Sequence, residues 1–233
     1  MGAVSYGHTK ISRQQITDNL LVGWKDESIP NKQRKLAEDS IKYAKQGKPQ
    51  ELFCIISNLL IDTSCNLNTD KILEIGCSTG YYYEILKIIF NSDINYTGVD
   101  YSEAMIRDAK KYSPTATFLQ ADGACLPFEN NAFDYVISGS ILLHVLNYPE
   151  HIKETVRVSK NYVIAHRYIV SRKSGTQLMK KMAYDVPVLE VHFNEQEFIG
   201  LFESCGTKLI KSIEYITDLP KDEHHMTYLF KKG

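Results

Sequence analysis

The sequence predicts an α/β fold built on a mostly parallel, doubly wound sheet, and three observations predict it. An apolar run, Ile72-Leu73-Glu74-Ile75, stops at the turn Gly76-Cys77-Ser78-Thr79-Gly80, after which 81–90 reads as a helix. A second apolar run, 96–100, ends in the carboxylate of Asp100. Further runs at 133–138 and 161–168 alternate with helical patterns, the alternation that a parallel sheet with crossover helices requires. At 233 residues and 43% hydrophobic content, the chain can bury one substantial core, so one domain is expected.

Residues 1–29 are polar with sparse apolar anchors: Tyr6, Ile11, Leu20, Leu21, Val22 and Trp24. Trp24 either pins this arm to the core or covers a ligand. The spacing predicts a helix over 31–45 with a thin apolar stripe of Leu36, Ile41 and Tyr43. Lys32, Arg34 and Lys35 are followed at once by Glu38 and Asp39, which predicts a solvated face and not a nucleic-acid patch. Gly47-Lys48-Pro49 breaks the helix, and the strongly apolar 51–61 is the helix expected beside the first strand. Gly76 and Gly80 permit a sharp bend and a close approach of backbone to ligand. Glu74, a charge in an apolar run, requires a donor or cation. Ser102 caps a helix running to about residue 111. Pro149 opens a helix to about 159. Asn194 and Glu197 form a capped start to a helix that Gly206 ends. Residues 207–216 and 226–230 are the last two strands. Between 170 and 194 the chain holds an amphipathic stretch over 176–184.

An acidic residue at Asp100 is placed to accept hydrogen bonds from ribose hydroxyls, as in dinucleotide-binding folds. The turn lacks the Gly-x-Gly-x-x-Gly spacing that admits a pyrophosphate, because Ser78 holds the middle position. Glu74-Ile75-Gly76-Cys77-Ser78-Thr79-Gly80, Gly98-Val99-Asp100-Tyr101-Ser102, and Ala121-Asp122-Gly123-Ala124 followed by Leu126-Pro127-Phe128 and Phe133-Asp134 stand in order. Over about 70–168 they resemble motifs I to III of the class I S-adenosyl-L-methionine (SAM) dependent methyltransferases. The resemblance implies seven strands with the last antiparallel, helices on both faces, SAM as cofactor and S-adenosyl-L-homocysteine as product. It implies a cofactor site of Glu74, Gly76, Cys77, Gly80, Asp100, Tyr101, Met105, Asp122, Gly123, Ala124 and Ser138. The glycine turn would take the methionine part, Asp100 the ribose, and Asp122 with Gly123 the adenine edge. Met105 either lies on the adenine face or packs the core. Ser78 departs from the family's frequent glycine, although a small residue still fits.

Ligands in open α/β sheets sit beyond the carboxyl ends of the strands. His144 follows such an end, so it either takes a proton from the acceptor or simply lines the pocket. His166 is the second candidate base. Arg167 either grips a carboxylate or phosphate or faces outward at a strand end. Tyr184, Asp185, Glu190 and His192 are candidate substrate contacts. Glu190, His192 and Glu195 have metal-ligating chemistry but no fixed geometry in the sequence, so no metal is expected there.

The Asp/Asn-Pro-Pro-aromatic turn of base-modifying enzymes is missing, and no cysteine between Cys125 and Cys205 could attack a cytosine. A net charge of −1 offers no general attraction to nucleic acid or anionic membrane. Five scattered cysteines fit reduced thiols in a cytoplasmic protein, and neither a secretory signal nor a membrane span is expected. The reading is therefore an arm and helices over 1–62, a candidate lid, ahead of a methyltransferase domain over 63–233 with a substrate-loop insertion at about 170–194. The expected reaction transfers a methyl group to an oxygen or nitrogen of a small molecule, a sugar or secondary metabolite, in a monomer or homodimer. The rivals are an RNA or protein methyltransferase and a SAM-binding protein without catalysis.

Overall fold

The structure, a computed structural model, describes residues 7–215, 219 and 222–233, so Tyr6 and Ile216 lie outside the described residues. The arm carries β1 (Thr9–Ile11), α1 (Asp18–Val22) and a 3-10 turn at 23–25, and leads into α2 (Ile29–Lys45) and α3 (Glu51–Asp62). Then β2 (Ile72–Ile75), α4 (Tyr81–Phe90), β3 (Tyr96–Asp100), α5 (Glu103–Tyr112), β4 (Thr117–Gln120), β5 (Phe133–Gly139) and α6 (Tyr148–Val158) follow. The chain closes with β6 (Ser159–Ser171), β7 (Gln177–Ala183), β8 (Val186–Asn194), α7 (Glu195–Ser204), β9 (Thr207–Tyr215) and β10 (Glu223–Lys232).

All four residues of β2 are buried, as a strand covered on both faces demands. It pairs in parallel with β3 on one side and β5 on the other, so the strand order reverses direction here. The crevice beyond the carboxyl ends of β2 and β5 is therefore the switch point where such sheets place ligands. The central sheet runs β4-β3-β2-β5-β6-β10-β9, seven strands with β10 antiparallel to both its neighbours. The expected sheet is thus the observed one.

Three details differ from expectation. The stretch 176–184 is strand β7, which forms an antiparallel hairpin with β8. Its two-residue turn puts Tyr184 and Asp185 at φ +54° and +67°, the mirror-image turn that suits twisted hairpins. Tyr-Asp lacks the glycine that usually marks such a turn. The hairpin, with β1 on its outer edge, joins the central sheet through Val170–Phe193 and Ser171–Asn194 pairing. Second, α2 starts at Ile29, with Pro30 in its first turn. Its basic cluster is only partly solvated: Lys35 is exposed, but Arg34 is buried, pairs with Glu84 and stacks on Tyr112, and Lys32 bonds the Tyr184 carbonyl at 2.7 Å. Third, β6 runs on to Ser171, and Arg167 lies within it and not at its end. Tyr168 pairs with Met226 and Ala165 with Tyr228, so His166 and Arg167 together oppose Thr227. That is a β-bulge, which bends a strand and re-aims a side chain.

Candidate active site

A cavity of about 420 Å³ opens at the switch point, roofed by the arm and the β7–β8 hairpin. Glu74, Gly76, Ser78, Asp100, Tyr101 and Met105 line it from β2, β3 and α5. Tyr81, Tyr82, His144, Arg167, Lys181, Tyr184 and Glu190 line it from α4, the segment after β5, the bulge and the hairpin.

Backbone geometry builds the first group. Gly76 adopts φ +78°, and a Cβ there would come within 3.1 Å of Ile141, so bare backbone lies along the cavity floor. Ser78 adopts φ +52°, a conformation that L-residues take at a cost. In return, its N–H donates to Asp100 Oδ2 at 3.0 Å, and its hydroxyl donates to Gln33 on α2. Asp100 Oδ1 accepts the Ser102 N–H at 2.9 Å, leaving lone pairs on both oxygens for two hydroxyls. Burial pushes its carboxyl up to about 6, against the pull of those N–H groups. Burial likewise pushes Glu74 up to about 8, opposed by the Tyr96 hydroxyl that donates to it and supported by Asp100. Met105, 3% exposed, supplies a polarizable wall.

The second group is positioned by tertiary contacts. His144 ends a 3-10 turn, Ile141–His144, and its Nδ1 meets the Leu189 carbonyl at 2.9 Å. A carbonyl only accepts, so Nδ1 carries the proton and Nε2 the lone pair. Burial, and then Lys181, push the ring's pKa down to about 4, which keeps it neutral. The Trp24 ring lies against it, tilted by 51° with centroids 4.7 Å apart. Among the described residues, Trp24 Nε1–H is buried without an acceptor, although the side chain lines the cavity. Arg167, at φ +62° in the bulge, donates to Tyr215 at 3.2 Å and Tyr82 at 3.4 Å. Its side-chain hydrogen bonds among the described residues thus go to hydroxyls and not to a carboxylate.

Other candidates lie away from the cavity. The His166 ring is fully buried, with Nδ1 on Thr227 at 2.9 Å, and burial holds it well below its usual pKa. The bulge that turns Arg167 inward turns His166 into the core, so it reaches no acceptor. Cys77 packs against Gly98, where a Cβ would lie 2.9 Å from its Sγ, and Gly80 faces Phe118. Ser138 is bonded to the Tyr168 hydroxyl at 2.7 Å. The Asp122–Ala124 turn folds on itself, with Ala124 N–H donating to Asp122 at 2.9 Å, and its inner side is filled by His151. His192 stands behind Glu190, one step from the cavity, and exposed Asp185 pairs with Lys32 at 3.0 Å. Sequence reasoning missed Gln33, Tyr81, Tyr82, Lys181 and His8. Only the Tyr81-Tyr82-Tyr83 run, directly after the glycine turn, carried a local signal.

A carboxylate at the end of β3, a thioether wall, bare backbone at Gly76 and an ionisable Glu74 fit a ligand that combines adenosine with an ammonium group, as SAM does. The architecture is that of the class I methyltransferases. Magnesium protoporphyrin IX methyltransferase of Synechocystis PCC 6803, solved with bound SAM, matches 95% of this chain with all of its own at TM-score 0.64 and 15% identity. A SAM-dependent methyltransferase of Methanosarcina mazei matches 74% of this chain with 96% of its own at TM-score 0.57 and 18% identity. At such identities the likeness is one of fold. In sequence, residues 73–164 match the family described as a methyltransferase domain. Over 93 residues the chain is 36% identical to demethylmenaquinone methyltransferase of Staphylococcus aureus. That match takes in 39% of each chain, so this chain spans about two fifths of the curated relatives it matches. Residues 73–164 thus resemble a methyltransferase domain in sequence, on a sheet with the class I architecture.

Proposed function

We propose that the protein is a SAM-dependent methyltransferase that acts on an oxygen or nitrogen of a small anionic molecule, a sugar derivative or secondary metabolite, in the cytoplasm. One observation carries the reading: Asp100, Glu74 and Met105 share a single cavity with the lone pair of His144 and the guanidinium of Arg167. Bound there, SAM supplies a methyl group already made electrophilic by its sulfonium. Asp100 would hold the two ribose hydroxyls, Glu74 would face the ammonium group, and Met105 would lie against the adenine. Arg167 orients the acceptor through its carboxylate or phosphate, with Tyr81, Tyr82 and Tyr184 against its body. His144 Nε2 accepts the proton that the acceptor atom loses. Trp24 and α2 act as the lid that excludes water, so that positioning supplies most of the rate.

The cavity size suits a small ligand and not a polymer strand. The relatives named for demethylmenaquinone and magnesium protoporphyrin IX support the small-molecule class. Among the described residues no helix is long and apolar enough to cross a membrane. The test is calorimetric titration with SAM and S-adenosyl-L-homocysteine. Asp100→Ala, which removes charge-assisted hydrogen bonds, is expected to weaken binding by about 10- to 100-fold. If the wild type binds neither ligand, the reading fails.

A further inference from the structure

His8, Glu190 and His192 form a cluster that the methyl-transfer reading leaves unused. His8 precedes β1, and the other two lie on β8. Both imidazoles converge on one oxygen: His8 Nε2 lies 2.6 Å from Glu190 Oε2, and His192 Nε2 lies 3.2 Å from it. All three donor atoms fall within 4.8 Å of one another. In a zinc site the donors stand about 2.0–2.2 Å from the ion and so about 3–3.5 Å apart, close to the present spacing.

Two features around the cluster point the same way. Glu223 Oε1 meets His192 Nδ1 at 2.6 Å, which fixes the ring with Nε2 toward Glu190. A carboxylate behind a histidine is the arrangement that orients metal ligands and raises their basicity. Lys181 takes the other oxygen of Glu190, so Oε2 is the one left to coordinate. Glu195, the third residue of the triad considered from sequence, is held elsewhere by Arg172 at 2.7 Å and Tyr228 at 2.9 Å. Its place is taken by His8, from 182 residues away.

We propose that His8 Nε2, Glu190 Oε2 and His192 Nε2 bind one divalent transition-metal ion at the rim of the cavity. Two imidazoles and one carboxylate suit zinc, iron(II) or cobalt(II), whereas magnesium and calcium prefer oxygen donors throughout. Glu190 and His192 are 1% and 3% exposed in their side chains, while His8 is 26% exposed. His8 and Glu190 line the cavity and His192 lies behind them, so the ion's open position lies on the cavity side. A water or an acceptor oxygen takes that position. Only the acceptor's share in it rests on the methyltransferase reading; ion binding does not.

The experiment strips the full chain with a chelator, then titrates it with cobalt(II) followed by absorbance and with zinc followed by elemental analysis after dialysis. The expected result is about one ion per chain with visible cobalt bands of low coordination number. His8→Ala and His192→Ala should each lower affinity at least tenfold, and Glu223→Gln by about 10-fold. Thermal unfolding and SAM titration of each variant show that it is folded. No ion retained by the wild type, or equal retention by folded His8→Ala and His192→Ala, overturns the proposal and leaves the cofactor reading untouched. Ion binding without any SAM binding overturns the cofactor reading and leaves the metal site standing.

Discussion

Two buried carboxylates at the cavity show how differently its two sides are built. Glu74 is 2% exposed and accepts from one neutral hydroxyl, Tyr96, so burial raises its pKa. Glu190 is 1% exposed, and burial pushes it the same way. His192, His8 and Lys181 outweigh that push and hold it well below the usual carboxylate range. The first is an acid awaiting a cation from the ligand, and the second is already held by Lys181 and two imidazoles of the protein. The cofactor side is therefore shaped by local backbone within the first hundred or so residues of the sheet. The acceptor side is shaped by charges gathered from the arm, the hairpin and β10.

The largest effect expected from this contrast lies on the acceptor side. His144→Asn keeps a polar side chain but removes the lone pair aimed at the acceptor, so kcat should fall about 100-fold or more, the scale of general-base catalysis. SAM affinity should stay within about twofold, because no cofactor-side group touches it. Single-turnover rates and calorimetry check both halves of that statement. An unchanged rate would make His144 a wall and leave deprotonation to solvent.

Arg167→Met comes next. Removing a cavity cation that has no carboxylate partner among the described residues should raise KM for an anionic acceptor about 10-fold or more, the worth of a lost charge-assisted hydrogen bond, with SAM affinity again preserved. Equal losses for acceptor and SAM would break the division into two sides, since Tyr82 and Tyr215 would then be holding the cofactor pocket through Arg167.

The same division explains what could be read in the sequence. The parallel strands, the glycine turn and Asp100 were legible because strand ends and positive-φ positions are local demands, met by Gly76, Gly80 and an acid at the end of β3. Even there Gly98 went unread: it is glycine because Cys77 and Phe118 occupy the space a Cβ would need, a contact no local pattern reveals. The β7–β8 hairpin was missed because Tyr184-Asp185 forms its turn without glycine. Arg167 was recognised as a candidate, but the bulge that aims it depends on register with β10, some sixty residues on, which periodicity does not encode. The pairing of His8 with Glu190 joins residues whose separation leaves no trace in spacing. Asp122 and Gly123 matched a motif, yet the structure fills the inner side of that turn with His151.

The smallest effect concerns Glu74 and can be derived with its sign. Without ligand, burial, opposed by Tyr96 and aided by Asp100, holds the carboxyl at about 8 against 4.5 in the unfolded chain. Between those two values the native state carries a proton that the unfolded state has released. Native protein thus binds more protons, and stability must fall as pH rises through that window, at a limiting slope of about 1.4 kcal/mol per pH unit. Glu74→Gln cannot ionise, so its urea midpoint should change less between pH 5 and pH 8 than that of the wild type. SAM reverses the balance, because its ammonium group favours the ionised carboxylate. Binding at pH 7 should therefore release up to about one proton, seen as a calorimetric heat that varies with the ionisation enthalpy of the buffer, and Glu74→Gln should abolish that dependence. A buffer-independent heat for the wild type would mean that Glu74 stays protonated in the complex. The ammonium group would then lie elsewhere, and the two sides of the cavity would be less distinct than their carboxylates imply.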